Sequence, residues 1–260
     1  MVAVVSAVVA VLGAVFTACS GYWWQARLRT AARMDYMSRY RDSLSWAAFD
    51  LQSRLFNVLY GFRVDRIGEG RGFLTAFLVE GNTRQADYAR YNTAFVFAEY
   101  LGWAEIFRRD IQFLDLGRSD RNQHTVMLLS RISATLGSAS RTSSEGFRIF
   151  NGDQRAIGEV MIASSSKPGE RSCVGYAEFF QRVSNDAAFR EWMADLISHV
   201  ERAAREPDWA AGRLLDLQHQ LIELIDFLDP KGIRFPREKR SRFNEESPEQ
   251  RPQSAEEAAV

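Results

Sequence analysis

The run from Val2 to Trp24, VAVVSAVVAVLGAVFTACSGYWW, has no ionisable side chain beyond the weak acids Cys19 and Tyr22, and it constrains the chain more than any other feature. Coiled as an α-helix it extends about 34 Å at roughly 1.5 Å per residue, enough to cross a hydrocarbon core of about 30 Å. Tyr22, Trp23 and Trp24 fall where amphipathic rings favour a membrane interface, and Arg27, Arg29, Arg33, Arg39 and Arg41 follow directly. This pattern predicts a single-pass protein of the cell (inner) membrane. With the basic residues all on one side, the N-terminus is expected outside and the following domain in the cytoplasm.

The same residues admit other readings. A cleaved secretory signal has a positive n-region and an apolar run of about 7 to 15 residues, and this segment has neither. Val15 to Gly21 loosely resembles a bacterial lipobox with Cys19 as the lipidated residue, although Phe16 stands where an aliphatic residue is usual. That alternative, an extracytoplasmic lipoprotein, would place the domain across the membrane. Gly13, Thr17 and Gly21 recur at a spacing that lets two membrane helices approach closely, which is a route to a homo-oligomer and also a pattern that alanine-rich spans show by chance.

Over all 260 residues the chain has the composition of a folded domain, 46% apolar and 25% charged. Lys plus Arg equals Asp plus Glu at 33 each, so no net field favours nucleic acid as a partner. Residues 25–60 lack proline and carry Leu44, Ala47, Ala48, Leu51, Leu55, Val58 and Leu59 at helical spacing. Gly61 to Gly72 is breaker chemistry, and a short apolar helix is expected at 73–80. Residues 85–116 hold eight aromatics and are apolar on nearly every side from Ala94 to Ala104 except at Glu99, the pattern of a core helix.

Ser119 or Asp120 caps a helix to about Leu136. Phe147 to Phe150 reads as a short strand, Asn151-Gly152 as a turn and Gln154 to Ala163 as a helix. Further helices are expected over Cys173 to Val183, from Asn185 to about Ala204, and from Pro207 to Asp229. Residues 237–260 carry 11 charges in 24 positions and one aromatic, a composition that predicts a disordered tail whose basic start could also touch an anionic leaflet. The expected fold is mainly α, an N-terminal transmembrane helix followed by an irregular multi-helix bundle with little or no strand. Its domains would be a membrane anchor at 1–25, a cytoplasmic helical domain at 26–236 and a charged tail at 237–260.

Chemical motifs are sparse. G-x-S-x-G, H-E-x-x-H and a Walker lysine are absent from the sequence, and Cys19 and Cys173 match no metal spacing. No metal and no cofactor are expected. Glu99 shares a helical stripe with Phe95, Trp103 and Ile106, so it is either a desolvated functional carboxylate or half of a buried ion pair with one of the 30 arginines. Asp110 lies three turns further on and is the second candidate carboxylate. Asp216, His219 and Glu223 share one face of the last helix, but the sequence repeats no E-x-x-H pair that would complete a bundle metal site. Around Gly152 to Glu159, Gln154 and Arg155 sit at a helix start, either as an anion site or as an ordinary first turn with an Arg155–Glu159 pair.

The stretches AFDLQSRLFNVL, YNTAFVFAEYLGWAEIFRRDIQFLDLG, FRIFNGDQRAIGEVM and LQHQLIELIDFLDP together resemble a family of uncharacterised bacterial proteins with an N-terminal membrane helix and a helical domain. The resemblance covers about residues 40–236, and 30 arginines against 3 lysines suit a high-GC bacterial source. It implies architecture alone and brings no site residue with it. The expected function is a scaffold or adaptor at the bilayer with a protein partner. The alternative is a ligand-binding or enzymatic helical domain around Glu99, Asp110, Arg155 and His219.

Overall fold

The computed structural model describes residues 2–111, 119–139, 146–164 and 171–244; within its helices the side chains of 2–15, 18, 26, 28–39, 110–111 and 119–122 lie outside that description. The chain divides into two compact units, Met1–Asp42 and Ser43–Val260. Helix α1 (Val2–Ile67) contributes residues to both. In the first unit Phe16, Cys19, Tyr22, Trp23 and Trp24 are exposed, and Arg27 lies over the Trp23 ring at 5.2 Å. Among the described residues no helix is long and apolar enough to cross a membrane. Most of the apolar run on which that expectation rests falls on side chains outside the description.

The second unit is a multi-helix bundle. Leu44, Leu51, Leu55 and Leu59 put one face of α1 into its core, each at most 2% exposed. Helix α2 (Thr83–Asp87) starts on a reciprocal cap in which the Asn82 side chain accepts from the Gln85 amide and Gln85 Oε1 accepts from the Asn82 amide. The π-helical turn Tyr88–Asn92 joins α2 to α3 (Thr93–Ile111), so the long core helix expected at 85–116 is helical as far as Ile111 with a π-helical turn within it, and residues 112–116 lie outside the described ones. Residues 73–80, expected as a short helix, contain a second π-helical turn, Thr75–Val79. Its start is held by Asp65, which accepts from the Gly72 amide and the Thr75 hydroxyl, both at 2.7 Å.

Helices α4 (Ser119–Gly137), α5 (Asn151–Val160), α6 (Tyr176–Asn185), α7 (Ala187–Arg205) and α8 (Pro207–Leu228) complete the bundle. Asp186 caps α7 by accepting from the Phe189 amide, and proline opens α8 where a missing N–H costs nothing. Helix α5 lies close against α3 because residue 158 is glycine: a Cβ there would come within 2.7 Å of the Leu101 carbonyl. No strand forms among the described residues, and a single bridge joins Ile162 to Cys173.

Two local expectations are corrected. Residues 147–150 are not a strand. Phe147 takes a left-handed conformation, φ 52°, that ends extended structure, and Asn151 already belongs to α5. The charged tail also begins later than its composition suggests, since residues 237–244 pack on the bundle. Arg240 and Phe243 are buried; the Phe243 amide donates to Gln218, and Phe243 meets Phe56 edge to face at 5.7 Å. Besides Phe243 and the paired Arg240, the Gln52 and Gln218 side chains donate to the Lys239 and Ser241 carbonyls, and residues 245–260 lie outside the described ones.

Candidate functional site

Glu99 sits half-buried on α3, and the arginine pair expected for it forms elsewhere. The carboxylate that closes with arginines is Glu105, 3% exposed, bonded to Arg108 at 2.5 and 2.8 Å and to Arg109 at 2.6 Å. Burial opposes its charge, yet those hydrogen bonds hold its carboxyl below the ordinary value. Glu99 instead has Asp50 of α1 as its charged neighbour. Burial, reinforced by Asp50, pushes its carboxyl up to about 7. Burial likewise raises Asp50, against the pull of Arg54, whose guanidinium donates to Tyr88 and Asn92 at the π-turn.

Beside this pair lies the thiol of Cys173, which donates to the Glu99 carbonyl at 3.8 Å. Burial and the nearby Glu99 charge push that thiol well above its ordinary value, so it is not a poised nucleophile. Asp110 falls on α3 with its side chain outside the described residues. The other sequence candidates are spread over separate helices. His219 Nε2 lies 2.8 Å from the Phe243 carbonyl oxygen, and Glu223 pairs with Arg131 at 2.9 Å. No group of three or more His, Cys, Asp or Glu is placed to hold a metal among the described residues.

At α5 Gln154 and Arg155, the residues named for an anion site, have different surroundings. Gln154 is 5% exposed, and its amide is committed to the Ile149 and Ser133 carbonyls at 2.7 and 3.0 Å while accepting from the Ser133 hydroxyl. It ties α5 to α4. Arg155, next in sequence but about 100° around the helix, is exposed.

A cleft of about 580 Å³ does open between α5, α7 and the start of α8. Its placement follows from Gly146 and Phe147. A Cβ on residue 146 would collide with the Trp209 carbonyl, so only glycine lets the chain pass there, and its own carbonyl accepts from the buried Arg213 at 2.6 Å. The left-handed Phe147 then buries its ring between Phe97, His199 and Trp209 and turns Arg148 and Phe150 to the cleft. Arg148 lies over the Phe150 ring at 4.8 Å, and Arg202 over Trp209 at 4.4 Å.

The opposite wall is one face of α7, where Glu191, Asp195, His199 and Arg202 follow at steps of four, four and three residues and Trp192 adjoins Glu191. Phe150 and Trp192 are 56% and 46% exposed, large aromatic surfaces at a concave site. His199 is half-buried with an Nδ1 that makes no hydrogen bond. Burial lowers its proton affinity, and Arg202 and Arg213 act in the same direction against Asp195.

This cleft was not legible as a site in the sequence, where 187–205 reads as one more capped helix. The signal that could have found it is Trp192 and His199 seven residues apart on a face that also carries both signs of charge. In comparisons with protein-family models, curated proteins and solved structures, nothing matches the chain.

Proposed function

We propose that the chain is a single-pass membrane protein whose helical unit is a binding module of the adaptor kind, acting through the cleft between α5 and α7. The observation that carries this reading is the cleft itself. Its volume of about 580 Å³ falls within the 300–1,000 Å³ of ligand sites, and Trp, Phe and Arg side chains of the type that dominate binding energetics line it. A binding role is favoured over a catalytic one because, of the residues the enzymatic reading names beside Asp110, Glu99 has Asp50 of α1 as its charged neighbour, His219 meets the Phe243 carbonyl and Arg155 is exposed on α5. The uncharged run Val2–Trp24 and the arginines behind it support an anchor at the inner membrane with the module in the cytoplasm.

Hydrogen–deuterium exchange on the full chain in detergent tests the reading. Incubation with whole extract of the source cells is expected to protect residues 147–157 and 188–202, and Trp192→Ala is expected to abolish that protection. Protection confined to other segments, or unaffected by Trp192→Ala, would overturn it.

A further inference from the structure

The loop that follows α8 holds an aliphatic side chain out in water. Asp229 accepts from the amides of Ile233, Arg234 and Phe235 at 3.1 Å each, Gly232 turns the chain at a φ of 67°, and the buried Phe235 packs on Trp46 and Phe49 with ring centroids at 4.7 and 4.4 Å. Ile233, fixed between these anchors, is nevertheless 78% exposed, and Trp46 is 52% exposed. A single exposed aliphatic residue is ordinary on a protein surface. What sets this one apart is a loop built to fix it and the charges around it.

Lys231 lies two residues before Ile233, and Arg237 folds back over the same turn: its Nη2 donates to the Pro230 carbonyl at 3.3 Å, and a Cβ on residue 232 would sit 3.6 Å from its Cγ. Lys239 ends the short turn Arg237–Lys239. These three cations are exposed, and no carboxylate pairs with them among the described residues. The nearby acids are committed elsewhere. Asp226 and Asp229 are both bonded to the buried Arg240, and Asp50, a turn beyond Trp46, has Glu99 and Arg54 as its charged neighbours. Glu238, exposed on the loop, offsets one of the three charges.

We infer that this loop docks on the headgroups of an anionic bilayer, with Ile233 entering the interface, Trp46 beside it, and Lys231, Arg237 and Lys239 meeting the lipid charges. Apolar side chains supply the immersion and cations select anionic lipid, which is the composition of an interfacial contact. A protein partner fits less well, because one aliphatic chain and one ring fall well short of the roughly 800 Å² that each side of a standard interface buries. Each cation near an anionic surface is worth about a fivefold factor in attachment. Three of them less Glu238 hold a free protein weakly, but they suffice for one that a membrane helix already keeps close to the bilayer. The inference therefore rests on the anchor reading for proximity and is independent of what the cleft binds. It assigns the contact with an anionic leaflet, expected from the basic residues after 237, to an ordered loop that begins before them.

The test places a nitroxide at Ile233→Cys in the full chain carrying Cys19→Ser and Cys173→Ala, reconstituted into nanodiscs of phosphatidylcholine alone or mixed with phosphatidylserine. In the mixed discs the label is expected to be reached by oxygen dissolved in the bilayer and shielded from a water-soluble nickel chelate; in the neutral discs the chelate should reach it. Lys231→Glu with Arg237→Glu should restore chelate access in the mixed discs several-fold. Equal access in the two kinds of disc, or shielding that both substitutions leave intact, would overturn the inference. Shielding with spin–spin broadening between labels would overturn it in favour of a contact between two copies, and shielding lost on removing residues 245–260 would give the face to that glutamate-bearing segment. A chain that enters neither kind of disc would fail the anchor reading instead. The same label read against added phosphatidylserine vesicles then decides the docking by itself: shielding that grows with lipid supports it, and none overturns it.

Discussion

Arg240 Nη2 lies 2.5 Å from Asp229 Oδ2 with both side chains at most 4% exposed, which closes the C-terminal strap onto the end of α8. Against the desolvation of its site, the amides of Phe235, Arg234 and Ile233 together with Arg240 hold the Asp229 carboxyl below its ordinary value. The strap carries Phe235, stacked on Phe49 at 4.4 Å, and Phe243, so the pair controls how residues 229–244 cover α1. Removing one partner of a buried pair strands the other. Arg240→Ala is therefore expected to cost about 3–5 kcal/mol in denaturant unfolding, and a loss below about 1 kcal/mol would show that the strap is held by its aromatics alone.

Glu99 makes stability fall as pH rises. Folding lifts its carboxyl from 4.5 to about 7, so across that interval the folded chain keeps a proton the unfolded chain has released. Its favourable contribution is complete in acid and is lost as pH climbs through about 7. Glu99→Gln should be close to neutral at pH 5 and stabilising at pH 8 by about 1–2 kcal/mol, after allowance for its contact with solvent. A variant less stable than the native chain at pH 8 would indicate that the charged carboxylate has a partner.

His199 works in the opposite sense. Burial first, with Arg202 and Arg213, lowers its pKa below 6.5, so the unfolded chain binds the extra proton and stability is lost as pH drops below about 6.5. His199→Phe is expected to flatten the native chain's loss of thermal midpoint between pH 7 and pH 5. An unchanged acid limb would assign that loss to other groups.

Gly146→Ala should be destabilising by about 1–3 kcal/mol through overpacking, because a Cβ has no room beside the Trp209 carbonyl. The same substitution should loosen Arg148 and Phe150 and show as a changed tryptophan emission. Full stability with native emission would mean that the 146–147 turn does not shape the cleft.

Topology can be read with a reporter active only in the cytoplasm, fused to the C-terminus of the intact chain and of Cys19→Ser. Signal from both, with membrane retention, is expected of the N-out anchor. Silence from both, with release on mutating Cys19, would instead identify a lipoprotein.

Much of the bundle was legible because helices announce themselves locally. The start expected at Asn185 and the one at Pro207 placed α7 and α8 to within two residues, whereas α1 runs on to Ile67, past the break expected from Gly61. What the sequence concealed depends on distant partners. The Glu105 pair could be read in α3 itself, where Arg108 and Arg109 follow three and four residues on, whereas the charged neighbour of Glu99 is Asp50 on α1, which α3 alone does not reveal. The tail misleads for the same reason, since Phe243 and Arg240 find Gln218 and Asp229 only once α8 is in place. The cleft needs three segments and a left-handed phenylalanine, and no periodicity encodes that.

The most direct test of the central claim is photo-crosslinking in living cells with a benzoylphenylalanine replacing Trp192 in the full chain, beside a control at the exposed Glu178 of α6. The account predicts a discrete adduct at position 192 that is absent at 178 and lost when Arg148→Glu is added. Equal labelling at the two positions, or an adduct indifferent to Arg148→Glu, would contradict a binding role for the cleft.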